Sequence, residues 1–243
     1  MAVTGPATGP TTGGPALAAV LDAGQTRLRT LLDGLGDDAV RAPSALPGWT
    51  RGHVLTHVEG VGLALARQAR YALRGKLIEV YDGGRSGRDA AIEAGHGRSA
   101  PVLTAALGDA LDEIEASWAA VGPDDWDRPV SYRDGTVTTA ALAWWRELEI
   151  HTADALLGPT PADWSPELCT HLVDFLSARA PDGIRLTLGT PGDAPDDTWS
   201  FTRGQGTPVV VRGRLTDLAA WLAGRVPPRA LTGDPLPTLG SWP

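Results

Sequence analysis

A change in apolar period, about two-thirds of the way along the chain, is the feature that most limits what it can fold into. Up to about residue 160 the apolar residues return at helical spacing. Leu17, Val20, Leu21, Leu28, Leu31, Leu32 and Leu35 mark a first helix over 16–35. Thr50 stands where an N-cap belongs, and the segment it opens runs helically to about Leu73 before Gly75. A short amphipathic piece follows around Ala90–Ala94 within a Gly- and Arg-rich stretch. Pro101 suits the first turn of a helix over 102–121, which Gly122-Pro123 stops. A further helix over 138–157 ends at Gly158-Pro159, and Ser165-Pro166 opens another to about Ala180. After Pro181-Asp182-Gly183 the spacing shortens to two. Ile184–Leu188, Trp199–Thr202 and Val209–Val211 read as strands, and Leu215–Leu222 as a last helix. The proline-rich tail from Pro227 reads as extended. The pattern predicts an α+β chain: a flexible leader over 1–15, a helical bundle over 16–163, and a small α/β C-terminal domain over 164–243.

Composition narrows the function classes. Hydrophobic residues make up 42% of the chain, enough for a real core. A net charge of −8 argues against a nucleic-acid partner, which calls for a basic stripe. No apolar run approaches the roughly 18–20 residues of a membrane span, and residues 1–15 lack the basic and apolar regions of a signal peptide. The single Cys169 excludes an internal disulfide and any multi-cysteine zinc site, so a reducing cytoplasm is the expected location. Of 21 basic residues only Lys76 is lysine, a bias expected of a GC-rich genome.

Five histidines are the next constraint: His53, His57, His96, His151 and His171. His151 follows Glu147 by four in the 138–157 helix, so both side chains share one face, about 40° apart around the axis. Trp144, Leu148 and Ala155 fall on the same arc, which marks it as core-facing, whereas Glu149 points nearly the opposite way. A carboxylate among apolar neighbours needs a partner, and a cation is a good one. In the Thr50 helix, Val54, Val58, Val61 and Leu65 form the apolar stripe. His57 lies on its edge and His53 further round, toward solvent. Two histidines and one glutamate from two helices make a three-ligand metal set with an open position. On spacing alone a metal-free Glu–His hydrogen bond is the commoner outcome.

The stretch Leu46-Pro-Gly-Trp-Thr-Arg-Gly-His-Val-Leu-Thr-His57, followed by Arg146-Glu-Leu-Glu-Ile-His151-Thr-Ala-Asp154, resembles the mycothiol-dependent maleylpyruvate isomerase family. The likeness continues through Val209 to Arg225. The resemblance implies a DinB-like four-helix metal-binding bundle followed by a small C-terminal domain. It implies that His57, Glu147 and His151 bind a divalent metal, zinc being the expected ion, and that Arg225 is a catalytic arginine. An arginine is a natural bidentate partner for a carboxylate, although a surface or inter-domain ion pair is the ordinary reading of such a residue. Gly87-Arg-Asp-Ala-Ala-Ile-Glu93 also resembles the family's loop and short helix, with Arg88 facing an anionic or sugar ligand; a solvated turn is the blander alternative. Asp154 either orients a ligand or caps a helix end. Trp49 is expected to staple the start of its helix, Cys169 to be buried and inert, and His96 and His171 to be structural or exposed.

The chemistry implied by that resemblance is cis–trans isomerisation. A thiolate adds to the conjugated double bond of maleylpyruvate, the resulting single bond rotates, and elimination returns the thiol and gives fumarylpyruvate. The thiol is mycothiol, a small actinobacterial thiol, which suits both the inert cysteine and the GC-rich bias. Partners are then a small anionic substrate and this thiol, on a monomer or homodimer, with neither nucleic acid nor membrane. Two alternatives remain: a mycothiol S-transferase on the same scaffold, and a non-catalytic DinB-like binding module.

Overall fold

The helical bundle is built around the segment that Thr50 opens. The computed structural model describes residues 14–190 and 199–243; the leader expected over 1–15 lies, up to residue 13, outside the described residues. The described chain divides into two units, residues 14–159 and 160–243.

In the first unit, helix α1 (Gly14–Leu32) begins inside the expected leader and buries Leu17, Leu21, Leu28 and Leu32. A five-residue helix, α2 (Asp37–Arg41), follows; it is too short to show a period and escapes a reading by spacing. Helix α3 (Arg51–Ala72) starts at the expected cap: the Thr50 hydroxyl accepts from the His53 backbone, and the His53 side chain accepts from the Thr50 backbone. Helix α4 (Gly84–Gly95) is three turns long, more than the short piece expected at Ala90–Ala94. Helices α5 (Ala100–Ala119) and α6 (Val137–Asp154) complete the unit. Helix α3 packs against α4, α5 and α6, and α1 lies against α5 and α6. Val54, Val58, Leu65, Leu107, Leu111, Ile114, Trp144 and Leu148 are almost wholly enclosed and form its core. At Gly62 a Cβ would stand 2.5 Å from Ile114 and 2.8 Å from Trp144. Only a glycine lets α3 approach both neighbours so closely, and that approach brings its His57 edge up to α6.

The second unit pairs helices α7 (Pro166–Leu176) and α8 (Leu215–Leu222) with a mixed sheet ordered β2-β1-β3-β4. Strand β1 (Ile184–Gly189) is antiparallel to β2 (Ser200–Gly204) and parallel to β3 (Thr207–Arg212). Its alternation is the predicted one, with Leu186 and Leu188 fully buried. The step from β2 to β3 crosses the start of β1 through Gly206, whose φ of 117° and close approach to the Gly183 carbonyl exclude a side chain. A two-residue strand, β4 (Thr232–Gly233), pairs with β3 inside the tail expected to be merely extended. No helix among the described residues is long and apolar enough to cross a membrane.

Candidate metal centre

Helices α3 and α6 each bring an inward-facing edge to the same place in the first unit. The Nε2 of His57 lies 3.0 Å from Oε2 of Glu147, and the Nε2 of His151 lies 3.2 Å from the same oxygen. The two imidazole centroids are 4.6 Å apart and their planes meet at 87°. One donor atom from each of the three residues falls within 4.8 Å of the others. Perpendicular rings can aim their in-plane lone pairs at one point, so this set can share a single ion. The set, two imidazole nitrogens and a carboxylate oxygen, fits a divalent transition metal.

Electrostatics separate the two histidines. Burial holds His57 below the usual histidine range, against its hydrogen bond to Glu147, and the nearby charges of His151 and Arg88 add to the depression. Burial acts the same way on His151, but the carboxylates of Asp154 and Glu147 outweigh it and raise its pKa. Glu147 is held far below the usual carboxylate range. Burial opposes this, and the hydrogen bonds from His151 and His57 win. The ionised carboxylate that a metal needs is therefore already present.

Two residues beside the set were weakly signalled by sequence. Asp154 is buried, and its Oδ2 sits 2.9 Å from His151 Nδ1, a contact through which it can orient that ring. Arg88 is on helix α4 rather than in a solvated turn, and its Nη2 donates to His57 Nδ1 across 3.2 Å. Tyr81 was missed altogether, since a lone tyrosine ahead of a glycine pair carries no pattern. Burial, reinforced by the charge of Glu147, pushes its hydroxyl up to about 12, and Arg88 hydrogen-bonds to it. Arg88, Tyr81 and His57 line a cavity of about 340 Å³, with Thr56, Arg67 and Ile92 among its other walls.

His53 corrects the expectation of a solvent-facing side chain: it is only 8% exposed. Its ring is stacked on His96 at 3.6 Å between centroids and covered on a further side by Trp49. Those partners lie in other segments, so the helix wheel alone could not place them. Trp49 also meets His57 edge-on, tying the start of α3 to the candidate ligand. His53, Glu93 and His96 form a second His/Glu group. Its imidazoles are nearly parallel, at 13°, so their lone pairs run side by side rather than converging.

In the second unit, Cys169 is fully buried and burial pushes its thiol up to about 12. Arg225 follows α8 and donates from Nη1 to the Ala223 carbonyl at 2.5 Å. Burial, and then the charge of Arg225, lower the pKa of Arg179, whose Nε donates to the Gly240 carbonyl.

Fold and site together define a class: an α+β chain with a helical bundle that holds a two-histidine, one-carboxylate donor set and a second, small mixed-sheet unit. Residues 21–156 match the Mycothiol maleylpyruvate isomerase N-terminal domain and residues 163–240 the MDMPI C-terminal domain. The chain belongs to the mycothiol maleylpyruvate isomerase family. Among solved structures it is similar to a crystal structure of the mycothiol-dependent maleylpyruvate isomerase, with 21% identity and a TM-score of 0.80 over 94% of this chain and 97% of that one. A histidine-to-alanine mutant of the same isomerase matches at 20% identity, TM-score 0.80 and the same coverage. No curated protein matches the chain.

Proposed function

We propose that this chain is a mycothiol-dependent isomerase that converts maleylpyruvate, or a similar unsaturated keto-acid, to its trans isomer in the cytoplasm. In this reading the bundle over 16–163 is the site-bearing domain, 164–243 is a second domain, and Arg225 is the catalytic arginine. The observation that carries the proposal is the convergence of His57, Glu147 and His151 on one point in a chain of this family. Zinc is the metal that these three residues would hold. Bound there, it would supply a Lewis acid that keeps a sulfur ligand as thiolate at neutral pH.

The chain's own residues account for the rest. Cys169 has no usable thiolate, so the nucleophile must come from a soluble thiol. The Asp154 carboxylate holds the His151 proton at Nδ1 and leaves Nε2 to face Glu147. A cavity of about 340 Å³ beside His57 suits a small ligand, and Arg88 on its wall is the group for an anionic or sugar moiety of the thiol. Thiolate addition moves electron density onto the conjugated carbonyl oxygen, and elimination returns it. Arg225 is the candidate clamp for that enolate or for a substrate carboxylate.

The test is turnover of maleylpyruvate by the purified, zinc-loaded chain in the presence of mycothiol. Product formation with the thiol fully recovered supports the isomerase. Stoichiometric thiol consumption points to an S-transferase, and an inert chain that binds no equimolar metal points to a binding module.

A further inference from the structure

Two glycines line the cavity beside His57, and they are there for different reasons. At Gly87, on α4, an added Cβ would stand 2.1 Å from the Asp82 carbonyl oxygen, so the chain itself excludes a side chain. At Gly60, on α3, no atom of the described residues lies within 4 Å of the place a Cβ would take. Glycine inside a helix is less stable than alanine, and no neighbour requires it at this exposed position. The helix wheel places the gap. At about 100° per residue, the α3 residues that line the cavity cover about half a turn, and Gly60 falls near the middle of that arc. His57 and Ala64 flank it on one side, Leu63 and Arg67 on the other.

We propose that the bare helix face at Gly60 is the seat of the body of the thiol, with the sulfur toward His57 and a hydroxyl-rich remainder lying along α3. The inference rests on the thiol-dependent reading given above and deepens it. From His57 to Arg67 is ten residues, about 15 Å along the helix, so the cavity continues well beyond the donor set. Its far walls are polar but charge-balanced. Arg67 pairs with Asp82 at 2.8 Å, and Arg70 pairs with Glu113 at 2.7 Å. Each pair presents donors and acceptors together with little net charge, which suits hydroxyl and amide groups better than a carboxylate. A neutral, hydroxylated ligand therefore fits this part of the cavity better than a dianionic keto-acid does. A side chain at Gly60 would occupy the space between the two ends, so Gly60 is a specificity-determining position for the thiol.

The test is calorimetric titration of mycothiol into the zinc-loaded wild type, Gly60→Ala and Gly60→Leu, with zinc content and melting temperature measured on the same preparations. Mycothiol affinity should fall slightly in Gly60→Ala and at least roughly tenfold in Gly60→Leu, the scale of overpacking a filled site. Zinc content should match the wild type in both. The melting temperature of Gly60→Ala should rise by about 2–4 °C, because the helix gains propensity and the methyl group meets no clash. Wild-type mycothiol affinity in Gly60→Leu, loss of its zinc, or a lowered melting temperature in Gly60→Ala each overturns the inference while leaving the isomerase reading standing. A wild type that binds mycothiol without isomerising maleylpyruvate overturns that reading instead, and the variant affinities still decide the inference. A wild type that binds no mycothiol overturns both.

Discussion

His151 points its Nδ1 at Oδ2 of Asp154 across 2.9 Å, three residues along the same helix. Asp154 is 1% exposed, so this carboxylate was taken out of water to hold one imidazole. Holding a proton on Nδ1 exposes the Nε2 lone pair and raises the basicity of the ring. The arrangement pairs a buried carboxylate, which serves the fold, and orients a ring, which serves a ligand.

Replacing Asp154 with Asn should therefore separate the two. The amide keeps the shape and can still present an oxygen, but it loses the charge that favours Nδ1–H. Zinc affinity should fall by about 10–100-fold, the range for losing such a supporting group, while the melting temperature of the metal-free chain falls only modestly, because the isosteric amide keeps the buried contact. Calorimetry and metal competition on one preparation check this. Unchanged zinc affinity would mean that Asp154 serves only the end of α6.

The approach of α3 to α6 is what brings His57 within reach of Glu147, and Gly62 is its narrowest point. An alanine there gains helix propensity of roughly 1 kcal/mol. Its Cβ would nevertheless sit 2.5 Å from Ile114 and 2.8 Å from the enclosed Trp144 ring. Overpacking of this kind costs about 1–3 kcal/mol, so Gly62→Ala should lower denaturant stability. It should also weaken zinc binding, because the clash pushes the two ligand-bearing helices apart. A stability gain from this substitution would show that the helices have room to spare.

These two residues also show what was legible beforehand. The inward arc of Glu147 and His151, and the edge position of His57, follow from spacing along single helices, which is local information. The cap at Thr50 and the alternation of Leu186 and Leu188 are local in the same sense. His53 was misplaced because its cover comes from His96 and Trp49, and nothing in the periodicity of α3 reports on them. Arg88 reaches His57 only because α4 runs back along α3 after a glycine pair with positive φ at Gly83 and Gly84. Strand β4 has just two residues, and its pairing depends on β3. What the period could not carry was tertiary.

His53 and His57 are one turn apart and should answer differently to alanine. His57→Ala should abolish zinc binding. His53→Ala removes the side chain that closes the Thr50 capping box and stacks on His96, so it should cost about 1 kcal/mol or somewhat more of stability. Its zinc content should remain near that of the wild type. Metal analysis of the folded fraction decides: loss of zinc from a well-folded His53→Ala would move that histidine into the ligand set.

Cys169 tests the external origin of the thiol. With a pKa pushed up to about 12, roughly one molecule in ten thousand carries its thiolate at pH 8. Native protein should resist iodoacetamide and become labelled only after unfolding in guanidinium chloride. Cys169→Ser should keep turnover within about twofold, provided that it folds, since the side chain is fully buried and faces the Trp164 carbonyl, an acceptor for the new hydroxyl. Rapid stoichiometric labelling of the native chain, with loss of activity, would make Cys169 a nucleophile and remove the need for mycothiol.

Arg225 carries the heaviest functional claim in the second unit. Its backbone N–H donates to the Ala220 carbonyl at 2.9 Å and closes the end of α8, a bond that alanine retains. Its side chain donates to Ala223, and losing that bond should cost about 0.5–1.5 kcal/mol of stability. If the guanidinium binds a substrate carboxylate or the developing enolate, Arg225→Ala should lower kcat/KM by about 2–4 kcal/mol, near the cost of removing a donor to developing charge. Zinc content should not change. Arg225→Lys should recover only part of the loss, because an ammonium lacks the guanidinium fork. Relief of Arg179 gives a further readout: without its charged neighbour, one of the forces holding its pKa down is gone. Melting temperature, metal content and turnover measured on the same Arg225→Ala preparation separate the roles. Near-normal turnover with a depressed melting temperature would make Arg225 a helix-end residue and leave the substrate's carboxylate to another cation.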